Sequence, residues 1–313
     1  MSDRTTLPTH TLDPERTLSA ATGMDAVTLR VGDLDLMSSY YSDALALEPV
    51  EERAQGQEVH RVLGRGDTPM IRLTSTPGLP AINPGEAGLF HTAFLFDDAA
   101  SLAATVYRAA QDDRSRFAGS ADHLVSEAFY FTDPEGNGIE LYTDRDRSQW
   151  SYAADGELQM ATEYLDPQAY LRRHLTESTV EAGPALPGKV GHVHLQVGNI
   201  DQAREFYVDI LGFETTVRSY PGALFASAGG YHHHVAMNTW NSAGAGPRAA
   251  RLGLGNVAIT VPGVDDLEGL RQRLRRGDIS FADNTTSITA KDPWGSQVTV
   301  STPGASASDL LQR

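Results

Sequence analysis

Apolar residues recur at every second position in two stretches of the chain, and in both the period then lengthens to that of an amphipathic helix. The stretches are DAVTLRVGDLDLMSSYYSDALAL from Asp25 and GHVHLQVGNIDQAREFYVDILGF from Gly191, an offset of 166 residues. Val27, Leu29, Val31, Gly32, Asp35, Tyr41, Asp43 and Leu45 all recur in the second copy. Each copy predicts a strand, a short helix with Asp35 or Asp201 near its start, and a return to the sheet. A fainter pair follows: GLFHTAFLF from Gly88 resembles LGNVAITV from Leu254, and FTDPEGNGIELYTD from Phe131 resembles AKDPWGSQVTVST from Ala290. Asp-Pro-x-Gly is a turn signal that leads into a last strand.

The pattern divides the chain into unit A (24 to 76), unit B (88 to 143), unit C (190 to 240) and unit D (254 to 302). Units A and B make a first domain over 24–143, and units C and D a second over 190–302. Residues 1–22 read as a disordered tail. The polar segment 144–189 separates the halves, with one helix expected around Pro167 to Leu175. The fold class is α+β, with four βαβββ units forming two paired curved-sheet modules.

Composition narrows the chemistry. The 313 residues carry 25 Lys+Arg against 41 Asp+Glu, a net charge of -16, which leaves no basic footprint for nucleic acid or an anionic membrane surface. A small molecule is the expected partner, and a homo-oligomer is left open. With no cysteine, any metal must be held by imidazole and carboxylate. No stretch has the length of a signal-peptide core or a membrane span, so the expected location is the cytoplasm.

The strand-helix pattern VxLxVxDLDxxxxFYxDxLGF and the DPxGNxIEL ending resemble the vicinal oxygen chelate superfamily, and the likeness extends over all four units. That superfamily includes glyoxalases, bleomycin-binding proteins and extradiol dioxygenases, so membership does not choose a reaction. GGYHHHVAMNTW, at Gly229 to Trp240, resembles more particularly a group of bacterial catechol 2,3-dioxygenases. The resemblance implies paired units whose sheets curve around a shared cavity. Strand parity then selects the side chains facing it. Val193, Leu195 and Val197 face the helices, which leaves His192 and His194 inward. By the same parity His91, Glu140, His232 and His234 point inward, and His233 points toward the helices.

A lone histidine on a strand is more often a core residue than a ligand. The argument for a metal lies in coincidence: the inward positions His91, Glu140, His192 and His234 are filled together in B and C. Their counterparts in A and D are Ala26, Asn256, Thr299 and Met70 or Arg72. This asymmetry pairs B with C around a working site and A with D around a vestigial one, whereas two-domain extradiol enzymes usually pair their two C-terminal units.

The resemblance further implies roles. His91, Glu140 and His192 would be the ligands of iron(II), with manganese(II) as the alternative metal. His234, or His232 by a two-residue slip, would be the acid and base. Tyr130, ten residues before Glu140, fits the tyrosine of the extradiol pattern, and His123 is the counterpart of a further pocket histidine. His194, His232 and Asn238 would touch substrate. The implied reaction is extradiol cleavage of a catechol, a small aromatic diol, by dioxygen to a muconic semialdehyde. The competing readings are a glyoxalase-type isomerase or lyase in which His234 is a fourth ligand, and a metal-free binding protein of the resistance kind.

Overall fold

The computed structural model describes residues 16–55 and 58–303. Each unit begins with a strand and a helix, as the change of period predicts: Val27–Val31 and Leu34–Leu45 in unit A, Gly88–Phe96 and Ala99–Gln111 in unit B, and Gly253–Thr260 and Val264–Arg276 in unit D. Unit C opens with Gly188–Gln196, and its helix starts as α over Ile200–Arg204 and continues as π over Glu205–Ile210. Asp33 and Asn199, equivalent in the repeat, cap their helices by accepting the N–H of Leu36 and Gln202 at 2.9 and 3.0 Å. Three further strands complete each unit.

Two nine-stranded sheets result, and each combines one unit from either half of the chain. One sheet joins D to A through antiparallel pairing of Gly253–Thr260 with Val27–Val31. The other joins B to C through antiparallel pairing of Gly88–Phe96 with Gly188–Gln196. The B/C and A/D pairing inferred from the histidine pattern is the one the sheets adopt. The inner faces of the helices and the backs of both sheets share one continuous core, which includes Tyr41, Phe94, Leu141, Val193, Leu195, Val235 and Val257. Val193, Leu195 and Val197 all lie in it, so the parity assigned to that strand holds.

Within 144–189 the expected helix spans Pro167–His174, capped by Asp166, and a second, Glu177–Ala182, follows it. Before these helices the chain crosses unit B, where Glu163–Tyr164 pairs with Arg116–Asp122 at the sheet edge. The expectation of a disordered tail over 1–22 is corrected for its last residues: Leu18 is buried and its N–H donates to the Gly212 carbonyl at 2.8 Å. Residues 1–15 lie outside the described residues. Among the described residues no helix is long and apolar enough to cross a membrane.

Candidate metal centre and its cavity

Three neighbouring strands of the B/C sheet build the centre. The registers Glu140 opposite Ala93 and Ala93 opposite His192 place these residues in one row across Gly138–Asp144, Gly88–Phe96 and Gly188–Gln196. Ala93 carries only a methyl group, so the longer side chains on either side meet over it. His192 Nε2 lies 3.1 Å from Glu140 Oε2, and His91 Nε2 comes within 2.8 Å of the same oxygen. A β-bulge between Val190 and His192 fixes the approach. Gly191 occupies that bulge, and a Cβ there would lie 1.8 Å from the Tyr142 hydroxyl oxygen.

All three ligand candidates are buried. Burial raises the carboxyl pKa of Glu140, but the imidazoles of His192 and His91 outweigh it and hold Glu140 well below the usual carboxylate range. Burial pushes His192 down to about 4, so its ring is neutral at pH 7, the form that coordinates a metal. Despite its closeness to Glu140, His91 Nε2 makes no aligned hydrogen bond. Two donors at right angles around a first-row metal ion at roughly 2.1 Å stand about 3 Å apart, close to the separations found here. The residues therefore fit a metal ion, and two imidazoles with one carboxylate leave coordination positions open on it. The counterpart positions in the A/D sheet bond to protein instead. Thr299 donates to Asn256 Oδ1 at 3.1 Å, and Arg72 donates to the Ala26 carbonyl at 2.9 Å and to Asp25 at 2.8 Å.

A cavity of about 480 Å³ opens over the centre, with His91, Glu140, Tyr130, His123, His194 and His233 among its lining residues. Tyr130 pairs directly with Glu140 across the sheet. His123 Nε2 lies 2.6 Å from the Tyr130 hydroxyl, and His123 Nδ1 lies 2.7 Å from the Ala161 carbonyl. A carbonyl only accepts, so His123 Nδ1 carries the proton, and in the neutral ring Nε2 accepts from Tyr130. Burial, then the Glu140 charge, raises the Tyr130 pKa well above that of a free phenol, so the hydroxyl keeps its proton.

His194 faces the cavity opposite His91, with ring centroids 4.9 Å apart. Asn238 is not among the residues that line the cavity and lies behind His194. Its Oδ1 accepts the Trp240 N–H at 3.2 Å, which turns its Nδ2 toward His194 Nε2 at 2.9 Å. That contact makes His194 Nε2 the acceptor.

The histidine triplet departs from the strand reading. Gly229 and Gly230 both have positive φ, 63° and 66°, and the strand after them begins only at Val235. Period-two parity therefore cannot be carried back through His232–His234. His234 turns away from the cavity: its Nδ1 accepts the Ala228 N–H at 3.2 Å and its ring stacks on Phe213. His232 is fully buried outside the cavity, with Nε2 2.9 Å from Asp144 and Nδ1 2.8 Å from His233 Nδ1. His233, expected on the helix side, is the member that lines the cavity, with its ring 4.0 Å from that of His192. The glycine pair was the signal for this. The cavity residues Met160, Ala161 and Thr162 come from the connecting segment, where no periodicity marked them.

Comparison with known proteins places this site in a family. The model of the Glyoxalase/Bleomycin resistance protein/Dioxygenase superfamily matches residues 23–141 and 189–300. A catechol-2,3-dioxygenase of Bacillus subtilis is 37% identical over 211 residues, covering 66% of this chain and 72% of that protein. A biphenyl-2,3-diol 1,2-dioxygenase of Rhodococcus globerulus is 29% identical over 150 residues, covering 45% and 69%. Among solved structures, one described as a putative dioxygenase from Bacillus subtilis has a TM-score of 0.63 at 14% identity, covering 92% of this chain and 86% of that one. Glyoxalase I from Zea mays has a TM-score of 0.56 at 17% identity, covering 93% and 95%. At these identities the structural likeness is one of fold. With a family match that extends over both halves, the chain belongs to the glyoxalase/bleomycin resistance protein/dioxygenase superfamily.

Proposed function

We propose that this protein is an iron(II)-dependent extradiol dioxygenase that cleaves a catechol to a muconic semialdehyde. The observation that carries the reading is the convergence of His91 and His192 on one Glu140 oxygen, in a cavity that also presents the hydrogen-bonded pair Tyr130 and His123. The catechol-2,3-dioxygenase name of the 37% identical relative supports the same reaction class.

Iron(II) held by His91, Glu140 and His192 would supply the one-electron chemistry that lets dioxygen react with an aromatic diol. The remaining work falls to this chain's own side chains. With its proton directed at His123, the Tyr130 oxygen presents lone pairs to a substrate hydroxyl that keeps its own hydrogen. His123 is fixed in turn by Ala161, which holds its Nε2 toward the Tyr130 hydroxyl. His194 and His233 add two further imidazoles to the cavity lining. The role first assigned to His234 passes to these two residues, because His234 does not reach the centre. A four-ligand isomerase site drawn with His234 loses its fourth member for the same reason.

The test is anaerobic purification with iron(II), metal analysis, and an assay that follows oxygen uptake and yellow product together on catechol and substituted catechols. Stoichiometric iron with coupled uptake and colour is the expected result. Bound metal without oxygen consumption across the set would overturn the reading.

A further inference from the structure

One wall of the cavity is aromatic, lying against the rings of His194 and His233, and offers a diol nothing to bond to. Phe90, Trp240, Tyr220 and Phe225 form a connected aromatic wall: Phe90 lies 5.5 Å from Trp240, Trp240 lies 6.2 Å from Tyr220, and Tyr220 lies 5.9 Å from Phe225 by ring centroid. Met160 of the connecting segment faces the same space. Trp240 keeps 45% of its surface exposed at the mouth, although its Nε1 is tied to the Pro221 carbonyl at 3.0 Å. A large aromatic held half in solvent beside a cavity is a surface waiting for an apolar partner.

Size and charge point the same way. At about 480 Å³ the cavity falls in the range of sites that enclose drug-sized ligands, roughly 300–1,000 Å³. A single ring bearing two hydroxyls leaves much of that volume unfilled. Among the described residues no lysine or arginine lines the cavity, and Glu140 is the one carboxylate there. A substrate carboxylate buried there would meet a like charge and no counterion. The net charge of -16 would also repel an anionic substrate at a distance.

We infer that the substrate is an uncharged catechol carrying a bulky apolar group, with the diol at His91, Glu140 and Tyr130 and the apolar group against Phe225, Trp240 and Met160. This rests on the reading of the site as catechol-cleaving. A separate strap shapes the wall. Thr162 Oγ1 lies 3.0 Å from the Tyr220 hydroxyl, so the connecting segment and the loop before Ala223 meet at the cavity wall.

The experiment compares catechol, 3-phenylcatechol and 2,3-dihydroxybenzoate on the iron-loaded enzyme. It also measures binding of each under anaerobic conditions by quenching of tryptophan fluorescence, with Trp240→Phe to assign the signal. The phenyl compound is expected to exceed catechol by about tenfold or more in both kcat/KM and affinity, as one well-buried apolar group allows. The benzoate is expected to fall below catechol by roughly a hundredfold, the scale of an unpaired buried charge. Trp240→Phe should remove most of the quenching. Equal use of catechol and the phenyl compound, or acceptance of the benzoate, would overturn the inference. Tight binding of the phenyl compound with no turnover of any of the three would uphold the cavity assignment while refuting the extradiol reading.

Discussion

The Tyr41 hydroxyl donates to Asp133 Oδ2 over 3.0 Å, and 166 residues later Tyr207 makes the same bond to Asp292 over the same distance. Each bond ties the helix of one unit to the Asp-Pro turn of the next, A to B and C to D. The sheets tie B to C and D to A. The four units are thus joined in a ring of alternating links, and the recurrence of the tyrosine in the sequence has this bond as its cause.

Because both partners are buried, removing either hydroxyl leaves an acceptor short of a donor. Tyr41→Phe and Tyr207→Phe should each lower the unfolding free energy by about 1–3 kcal/mol. The two losses should add, since the bonds share no partner. Urea unfolding of the single and double variants checks this; a double variant no less stable than either single would contradict it.

Asp133 carries a pH dependence of known sign. Burial pushes its carboxyl up to about 6, against the hydrogen bonds from Asn137, Tyr41 and Glu135 that favour ionisation. Its folded pKa is thus above the unfolded value of about 3.9. The folded state holds the extra proton between these values, so the stability this group contributes is complete below pH ~4 and is lost as the pH rises through ~6. The loss is on the order of 3 kcal/mol. The difference in unfolding free energy between the wild type and Asp133→Asn, measured in the metal-free protein, should shift by about that amount from pH 4 to pH 7.

His192→Ala and Glu140→Ala should abolish tightly bound iron. Saturating wild-type protein with iron(II) at about a hundredfold over Kd should stabilise it by roughly 2.7 kcal/mol, an increment both variants lack. His234→Ala should keep the metal and the turnover and lose about 1–3 kcal/mol of stability, because it empties a packed position beside Phe213. Metal analysis and thermal unfolding on the same samples separate the two behaviours. Loss of iron in His234→Ala would restore the four-ligand reading.

Tyr130→Phe keeps the ring and removes the hydroxyl that His123 directs. Metal content should stay unchanged while kcat/KM falls about a hundredfold, equivalent to roughly 2.7 kcal/mol of transition-state stabilisation. A variant with wild-type kcat/KM would show that Tyr130 serves packing alone.

Much of this centre could be read before any coordinates, and the reason is strand geometry. His91, Glu140 and His192 sit in strands, where alternation decides which way a side chain points, and the structure brings all three together. Tyr130 and His123 also meet, because both lie along one hairpin of unit B, Arg116–Asp122 and Ser126–Thr132. Parity failed at His232–His234, where two glycines at positive φ interrupt the strand. It had no purchase on 151–162, which is almost entirely turn and coil and reaches the cavity through Met160, Ala161 and Thr162. Asn238 was placed at the substrate but serves behind His194, a distinction of one layer that alternation does not resolve.

The connecting segment has no counterpart in the fourfold pattern, yet its Ala161 carbonyl fixes His123 and its Thr162 meets Tyr220 at the cavity mouth. The strands that carry the ligands are constrained twice, by the pairing of their sheet and by the core behind it. Residues 160–162 of the connecting segment lie outside any strand. A substitution at Met160 or Thr162 can therefore change the shape of the cavity without touching a strand that carries a ligand.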